Sequence, residues 1–568
     1  MILNFLLVLS AVALTTLAGM PFVLREETRS LTRIALSFAI GYMLLSTASI
    51  AGALLGIAPI VAQICLLIAA ATFCVRFRIS NRSEAFGLSS FGFDWDDWIV
   101  LGSAALYLIM GILFFDRLIM WMAGDAVAHA EMVRMLLDGQ QLPVSLPFLG
   151  NSWEYYPKGF HYYAYLWAKA FPLINVIQTV PILITAATPV LLYSIVKEMK
   201  HDSSSAYVFL LASFAFSTHY SYLIWGGYPS AAAEMLLVAA VLAAMLRMRI
   251  IFLALSFGIL LSHPRLLAMG IALLTFWILA EWLRKHLSIR YLSLISGGLL
   301  ALGMAFLYWH RPEYLVSVFG NQDLASQFVA RWYPALFALF GGAIAMIRQE
   351  RLDRLALAWC GSWILIALLA DCGPLRFMGP TDRLLLSLYL PFSLLAGLAL
   401  SQMDRGEARI KASFLLVLII MGVVSTGIVL YSYSDAWGLP QKDYDAMMWL
   451  SKQNLSDAVC FNVDEIGAWI YPLTGIQATR PRMAFSEFLW VLSDRISTDP
   501  GNRTVINDLK SIGHQNILIF ISSVSVLRPG HTPPFAGHSP FPLVNMSYPE
   551  EDYELLYENG AKIYRVKS

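Results

Sequence analysis

Charge is what this chain has least of. Only 14% of its 568 residues are Asp, Glu, Lys or Arg, against roughly a quarter in soluble domains. With 58% hydrophobic residues and a mean hydropathy of +0.64, a soluble globular protein is excluded and a polytopic membrane protein is expected. The formal net charge is +1, which excludes a bulk electrostatic nucleic-acid binder. Cysteine is scarce too: there are five, with no CxxC pair and no zinc-type spacing. Cys65, Cys74 and Cys360 fall in apolar stretches and read as small packing residues, whereas Cys372 and Cys460 fall on one side of the membrane, so a disulfide between them stays open. No basic residue precedes the first apolar run, residues 2–24. A retained helix is expected there, with a cleaved signal peptide as the alternative. No internal repeat or low-complexity tract stands out.

What the chain has in quantity is apolar runs. Taking about 20 apolar residues per crossing, helices are expected near 2–24, 34–56, 58–75, 98–122, 173–196, 206–224, 229–246, 250–262, 265–283, 291–309, 333–347, 355–370, 384–400 and 412–431, about fourteen in all. The run at 250–262 is short, and His263-Pro264 can instead be read as a break in one longer helix. The basic loops starting at Arg76, Lys197, Arg247, Arg284, Arg348 and Asp404 share one parity, which the positive-inside rule makes cytoplasmic. The other loops, both termini and the tail then lie outside.

Those outer loops are unusual in content. They read GDAVAHAE from Gly124, YYPKGFH ending at His161, WGGYP from Trp225, HPR at His263 and DCGPLRFMGPTDR from Asp371. Residues 1–431 are expected to form the bundle, with a first large loop at 123–172. Within that loop, Ala126, Ala130, Val133 and Leu137 make one helical stripe, and Glu131, Arg134 and Asp138 lie on another face. A helix lying along the interface is expected, followed by a second interfacial or re-entrant helix after Pro157. Residues 432–568 are polar enough to fold in water and predict a small extracytoplasmic α/β domain. Its helix is YDAMMWLSKQN, and its strands are AVCFNV, NILIFI and AKIYRV. His531 and His538, in a Pro-rich loop, read as surface residues.

Acids, histidines, arginines and aromatics at one mouth of a bundle suit an enzyme better than an anchor. Asp125 is a favoured helix cap, and also a candidate base or metal-binding carboxylate. His129, one turn on, shares its face, and Glu131 is offset. Asp125 with His129 or Glu131 could hold a divalent ion such as Mg or Mn. Cationic groups on the same side are Lys158, His161, His263, Arg265, Arg376 and Arg383, the arginines being suited to gripping phosphate. Each could equally anchor at the interface. Asp371, Asp382 and Glu234 complete the acids. Glu234 lies deep enough in a span to require a partner or a cavity. Trp153, Trp225 and Tyr228 can stack on sugar rings or belong to the aromatic belt.

GDAVAHAEMVRMLLDG, the following YYPKGFH and the segment DAMMWLSKQNLSDAVCFNVDEIGAWIYPLTG resemble GT-C glycosyltransferases. These multi-spanning enzymes include oligosaccharyltransferase catalytic subunits and protein mannosyltransferases. The resemblance implies transfer of a sugar from a polyprenyl-phosphate-linked donor to a glycan, lipid or protein acceptor, outside the inner or plasma membrane. Asp125 would be the base, with Arg265, Arg376, Arg383 and His263 on the donor phosphate. Lys158, His161, Trp225, Tyr228, Glu234 and Asp371 would line the substrate. The rival readings are a flippase or transporter of lipid-linked oligosaccharides and an O-antigen ligase or polymerase. Charges clustered at one mouth, with plain spans such as 34–56, argue against transport.

Overall fold

The computed structural model describes residues 2–24, 26, 28–80, 92–117, 125–140, 142, 157–200, 204–215, 222–223, 226–286, 298, 338–371, 375, 384, 386–403, 413, 416–417, 420–424, 439–455, 457–462, 465–479, 487–523 and 548–567. Among the described residues, eight helices are long and apolar enough to cross a membrane, and four shorter ones are apolar. The long apolar runs become α1 (Ile2–Gly19), α2 (Ser30–Leu54), α3 (Pro59–Ser80), α4 (Trp95–Arg117), α7 (Leu173–Met199), α9 (Tyr228–Met245), α11 (Pro264–His286) and α13 (Arg351–Asp371). Between these lie α5 (Asp125–Leu137), α6 (Gly159–Ala168), α8 (Ser204–Leu210, continued by a π turn to Ala215) and α10 (Arg249–Ser262). Two further apolar helices are α12 (Ala338–Arg348) and α14 (Tyr389–Met403). The expected helices at 291–309 and 412–431 fall wholly or mostly outside the described residues.

Small residues bring the first two helices together. A Cβ on Gly19 would lie 1.9 Å from the Ser37 carbonyl oxygen, and one on Gly41 would lie 1.7 Å from that of Thr15. Backbone packs directly on backbone, a route open to helices in lipid, where apolar burial alone gives little drive for association. The His263 question has a clear answer. Gly258 of α10 and Gly270 of α11 approach Leu236 and Leu237 of α9, so the chain turns back at His263, whose backbone is extended. The two are separate helices rather than one broken rod.

Ion pairs gather the basic segments at Lys197 and Arg348 at one end of the bundle. Lys197 lies 2.7 Å from Asp94 and 3.1 Å from Asp96. Lys200 pairs with Glu350 at 2.8 Å, and Arg354 with Glu281 at 2.9 Å. The end of α7, the start of α4, the 348–354 turn and the end of α11 therefore meet. Contacts of Gly226 with Ala126, His129 with His161 and Gly159 with Leu261 gather the starts of α5, α6 and α9 and the end of α10 beside the start of α11, the far end of that helix from Glu281.

The tail contains α15 (Gln441–Leu450), β1 (Ala458–Asn462), α16 (Ile470–Thr474), β2 (Gln477–Ala478), α17 (Glu487–Thr498), α18 (Arg503–Ser511), β3 (Asn516–Ile521), β4 (Tyr553–Asn559) and β5 (Ala561–Val566). The strand order is β2-β1-β3-β5-β4. β2, β1 and β3 run parallel, and β5 is antiparallel to β3 and β4. All three expected strands are present. β2 is two residues long and carries no readable alternation. β4 was missed although Asn559-Gly560 is a strong hairpin signal; Gly560 takes φ +85°. Alternation sends Val459, Phe461, Ile517, Ile519 and Ile521 into one core with Leu492, Ile496, Val505 and Leu509. Cys460, Leu518, Phe520 and Ile563 face the other way and join the core that includes the helical bundle. Cys460 is a free, buried thiol; Cys372, with which a disulfide was left open, lies outside the described residues.

Candidate functional site

Asp125 is the first residue of α5, where a carboxylate is favoured by the helix dipole. The turn before α9 seats it. Gly226 has φ +84°, and a Cβ there would lie 2.1 Å from the Ala126 amide nitrogen and 2.8 Å from the Asp125 carbonyl carbon. Two conditions thus demand glycine at 226: a left-handed backbone and direct contact with the first turn of α5. The sequence signal was present in the Gly226-Gly227 pair, which marks close backbone approach, but its partner was not readable.

The next turn of α5 is fixed by a histidine pair. His129 Nδ1 lies 2.8 Å from His161 Nε2 of α6, and both side chains are 0% exposed. Phe160 and Tyr228 pack on the His129 ring at 5.9 and 5.5 Å between centroids. Burial lowers the His129 pKa to about 3; the Gly226 backbone opposes the shift, and the Lys158 charge adds to it. Burial likewise holds His161 well below 6.5, with His129 and Lys158 adding to the effect. Both imidazoles are therefore neutral at physiological pH, so His161 brings no positive charge to its surroundings. Lys158, 5% exposed, points its Nζ to Met132 Sδ at 3.8 Å. Tyr228 is committed to His129 and Phe160 rather than to an open sugar site.

The expected surface position of α5 needs correction. Ala126 to Val133 are all buried, including Glu131 at 1%. The bundle encloses the first turns of α5, and the tail covers its last. Tyr471 of α16 donates to Asp138 Oδ2 at 3.1 Å, and Asp138 also pairs with Arg134 at 3.0 Å. The Arg134 guanidinium lies over Gly475, the left-handed C-cap of α16, where a Cβ would be 2.4 Å from it. A helix that reads as amphipathic is thus sandwiched between the bundle and the tail. Among the described residues no group of three or more His, Cys, Asp or Glu could hold a metal ion, and His129 Nδ1 is engaged by His161.

α6 abuts the end of α10: a Cβ on Gly159 would meet the Leu261 carbonyl at 3.0 Å and Ser262 Oγ at 3.2 Å. His263 and Arg265 follow immediately, each half-buried. The charge of Arg265 reaches the Tyr222 hydroxyl, and Tyr222 begins the turn that carries Gly226. Glu234 is 1% exposed and enclosed by Tyr222 and Tyr389 rather than by an open cavity. Trp153, Trp225, Arg376, Asp382 and Arg383 lie outside the described residues, as do His531, His538 and the side chain of Asp371. Sequence reasoning missed Tyr222, Ser387 and Tyr389, which carry no motif.

No protein-family model and no curated protein matches the chain. Among solved structures it is similar to the Archaeoglobus fulgidus oligosaccharyltransferase tethered by a disulfide to an acceptor peptide containing the NVT sequon. Identity is 12%, over 77% of this chain and 70% of that one, with a TM-score of 0.42.

Proposed function

We propose that the chain is a membrane glycosyltransferase that moves a sugar from a polyprenyl-phosphate-linked donor to a glycan, lipid or protein acceptor on the extracytoplasmic face of the inner or plasma membrane. The observation that carries this reading is the 222–228 turn. Its Gly226 meets the backbone of Asp125, and its Tyr222 lies within electrostatic reach of Arg265. The backbone that bears Asp125 and the charge of Arg265, from distant parts of the chain, are thereby brought to one segment. The resemblance of GDAVAHAEMVRMLLDG to GT-C enzymes points the same way.

In this reading Asp125 accepts the proton of the acceptor's nucleophilic group as it attacks the anomeric carbon. The bond to the lipid phosphate breaks, and the departing anion is held by Arg265, with His263, Arg376 and Arg383 as further donors. His129 and His161, being neutral, hold α5 in place. Arg134, Asp138 and Tyr471 tie the tail, the proposed extracytoplasmic domain, over α5, where it would help to receive the acceptor.

Asp125→Asn tests the reading. It keeps the size and most of the first-turn polarity but removes the base. Turnover by the purified variant should fall by about 10²-fold or more, with expression and thermal stability unchanged. Near-normal turnover would leave Asp125 as a helix-start residue and the mechanism without its base.

A further inference from the structure

Glu234 is a buried ionisable residue that the mechanism above does not use. It lies in the second turn of α9, inside the bundle, where an ionisable group must be answered by partners. Its Oε2 accepts from the Tyr389 hydroxyl at 2.9 Å, and its Oε1 faces the Tyr222 hydroxyl at 3.5 Å. Tyr222 and Ser387 share a further hydrogen bond of 3.0 Å, and Ser387 also reaches Glu234. All four side chains are 3% exposed or less. One carboxylate therefore ties together α9, the turn before it and the segment entering α14.

The turn leads to Asp125. The Tyr222 carbonyl accepts from the Gly227 amide at 2.8 Å, and the Gly226 carbonyl from that of Tyr228 at 2.8 Å. Gly226, held between these bonds at φ +84°, leaves no space between itself and the backbone of Asp125 and Ala126. A shift of Tyr222 must therefore be passed to the start of α5. We propose that Glu234 is a positioning residue for Asp125: through Tyr222 it sets the 222–228 turn on which the first turn of α5 rests. This proposal rests on Asp125 as the base for its catalytic meaning, but not for its geometry. A buried hydrogen-bonded network of this kind is stiff when every member is satisfied and loosens when one is lost.

The test needs no donor. Amide hydrogen exchange is measured on the purified full-length protein in lipid nanodiscs, following 222–228 and the helical amides of His129 to Val133. Tyr222→Phe removes one hydroxyl and keeps the ring, so the fold is retained. It should speed exchange in both segments by about fivefold, the change expected from one lost hydrogen bond. Glu234→Gln, which keeps an acceptor oxygen, should have a smaller effect than Glu234→Ala. Tyr389→Phe cuts the other arm of the carboxylate and should affect α14 more than α5. Unchanged exchange at His129 to Val133 in both Tyr222→Phe and Glu234→Ala would overturn the proposal. The failure of the catalytic reading looks different: Asp125→Asn would transfer sugar normally while the exchange result stood.

Discussion

Enclosure decides what an ionisable side chain can do, and His129 and His161 carry that through to a measurable consequence. In water an imidazole titrates near pH 6.5; inside this protein burial lowers His129 to about 3 and His161 well below its ordinary value. Between the two values the unfolded chain binds protons that the folded chain refuses. Stability is therefore complete above about pH 6.5 and declines as pH falls toward 3. The thermal midpoint of the purified protein should accordingly be lower at pH 5 than at pH 7.5. A His129→Gln, His161→Gln double variant should lose most of that slope. Equal slopes in the two proteins would mean that other groups carry the acid sensitivity. The same enclosure separates the residues by role. Asp125 and Arg265 are only half-buried, as their proposed roles require, whereas the histidines, Lys158 and Glu234 are enclosed by their neighbours.

At the scale of the element, α5 is about 20 Å long and is held at three levels. Gly226 meets its first turn, the His129–His161 contact its second, and Tyr471 with Gly475 its last. The first hold is the least forgiving. Gly226→Ala would place an L-residue in the left-handed region, at a cost of about 1–2 kcal/mol, with its Cβ inside the contact with Ala126. Thermal unfolding should report a loss at least that large, and sugar transfer should fall further than stability alone accounts for, because the displaced atoms are those of Asp125 and its neighbour. The last hold is softer. Arg134 and Asp138 are each 28% exposed, so Tyr471→Phe should cost no more than about 1 kcal/mol. A larger loss there than at Gly226 would reverse this ordering.

For the whole molecule, the separation of its two ends is the feature that the proposed function depends on. Ion pairs gather 94–97, 197–200, 281 and 348–354 at one end, and the 125, 159 and 226 contacts gather at the other. Which end is cytoplasmic is tested by labelling. Single cysteines replacing Lys200 or Arg348 should be shielded from impermeant thiol reagents in intact cells, and one replacing Asn502 should react. The opposite pattern would invert the site. Much of this was legible in the chain itself. Apolar runs define helices because lipid forces each crossing segment to satisfy its own backbone, and the shared parity of basic loops divided the ends before any contact was known. Asp125 stood out because a carboxylate opening a helix beside a histidine is a local pattern. The rest was not local. The partner of Gly226 is 100 residues away in the chain, that of Glu234 is 155 residues away, and α5 reads as a surface helix because the tail that covers it begins some 300 residues later. Composition and periodicity determined which segments are long and apolar enough to cross a membrane and marked those proposed to carry chemistry, since hydrophobicity and hydrogen-bond satisfaction act within a segment. Which side chains meet, which are sealed from water and which stay reachable were decided only by tertiary packing, because burial belongs to the neighbours a residue acquires and not to the residue.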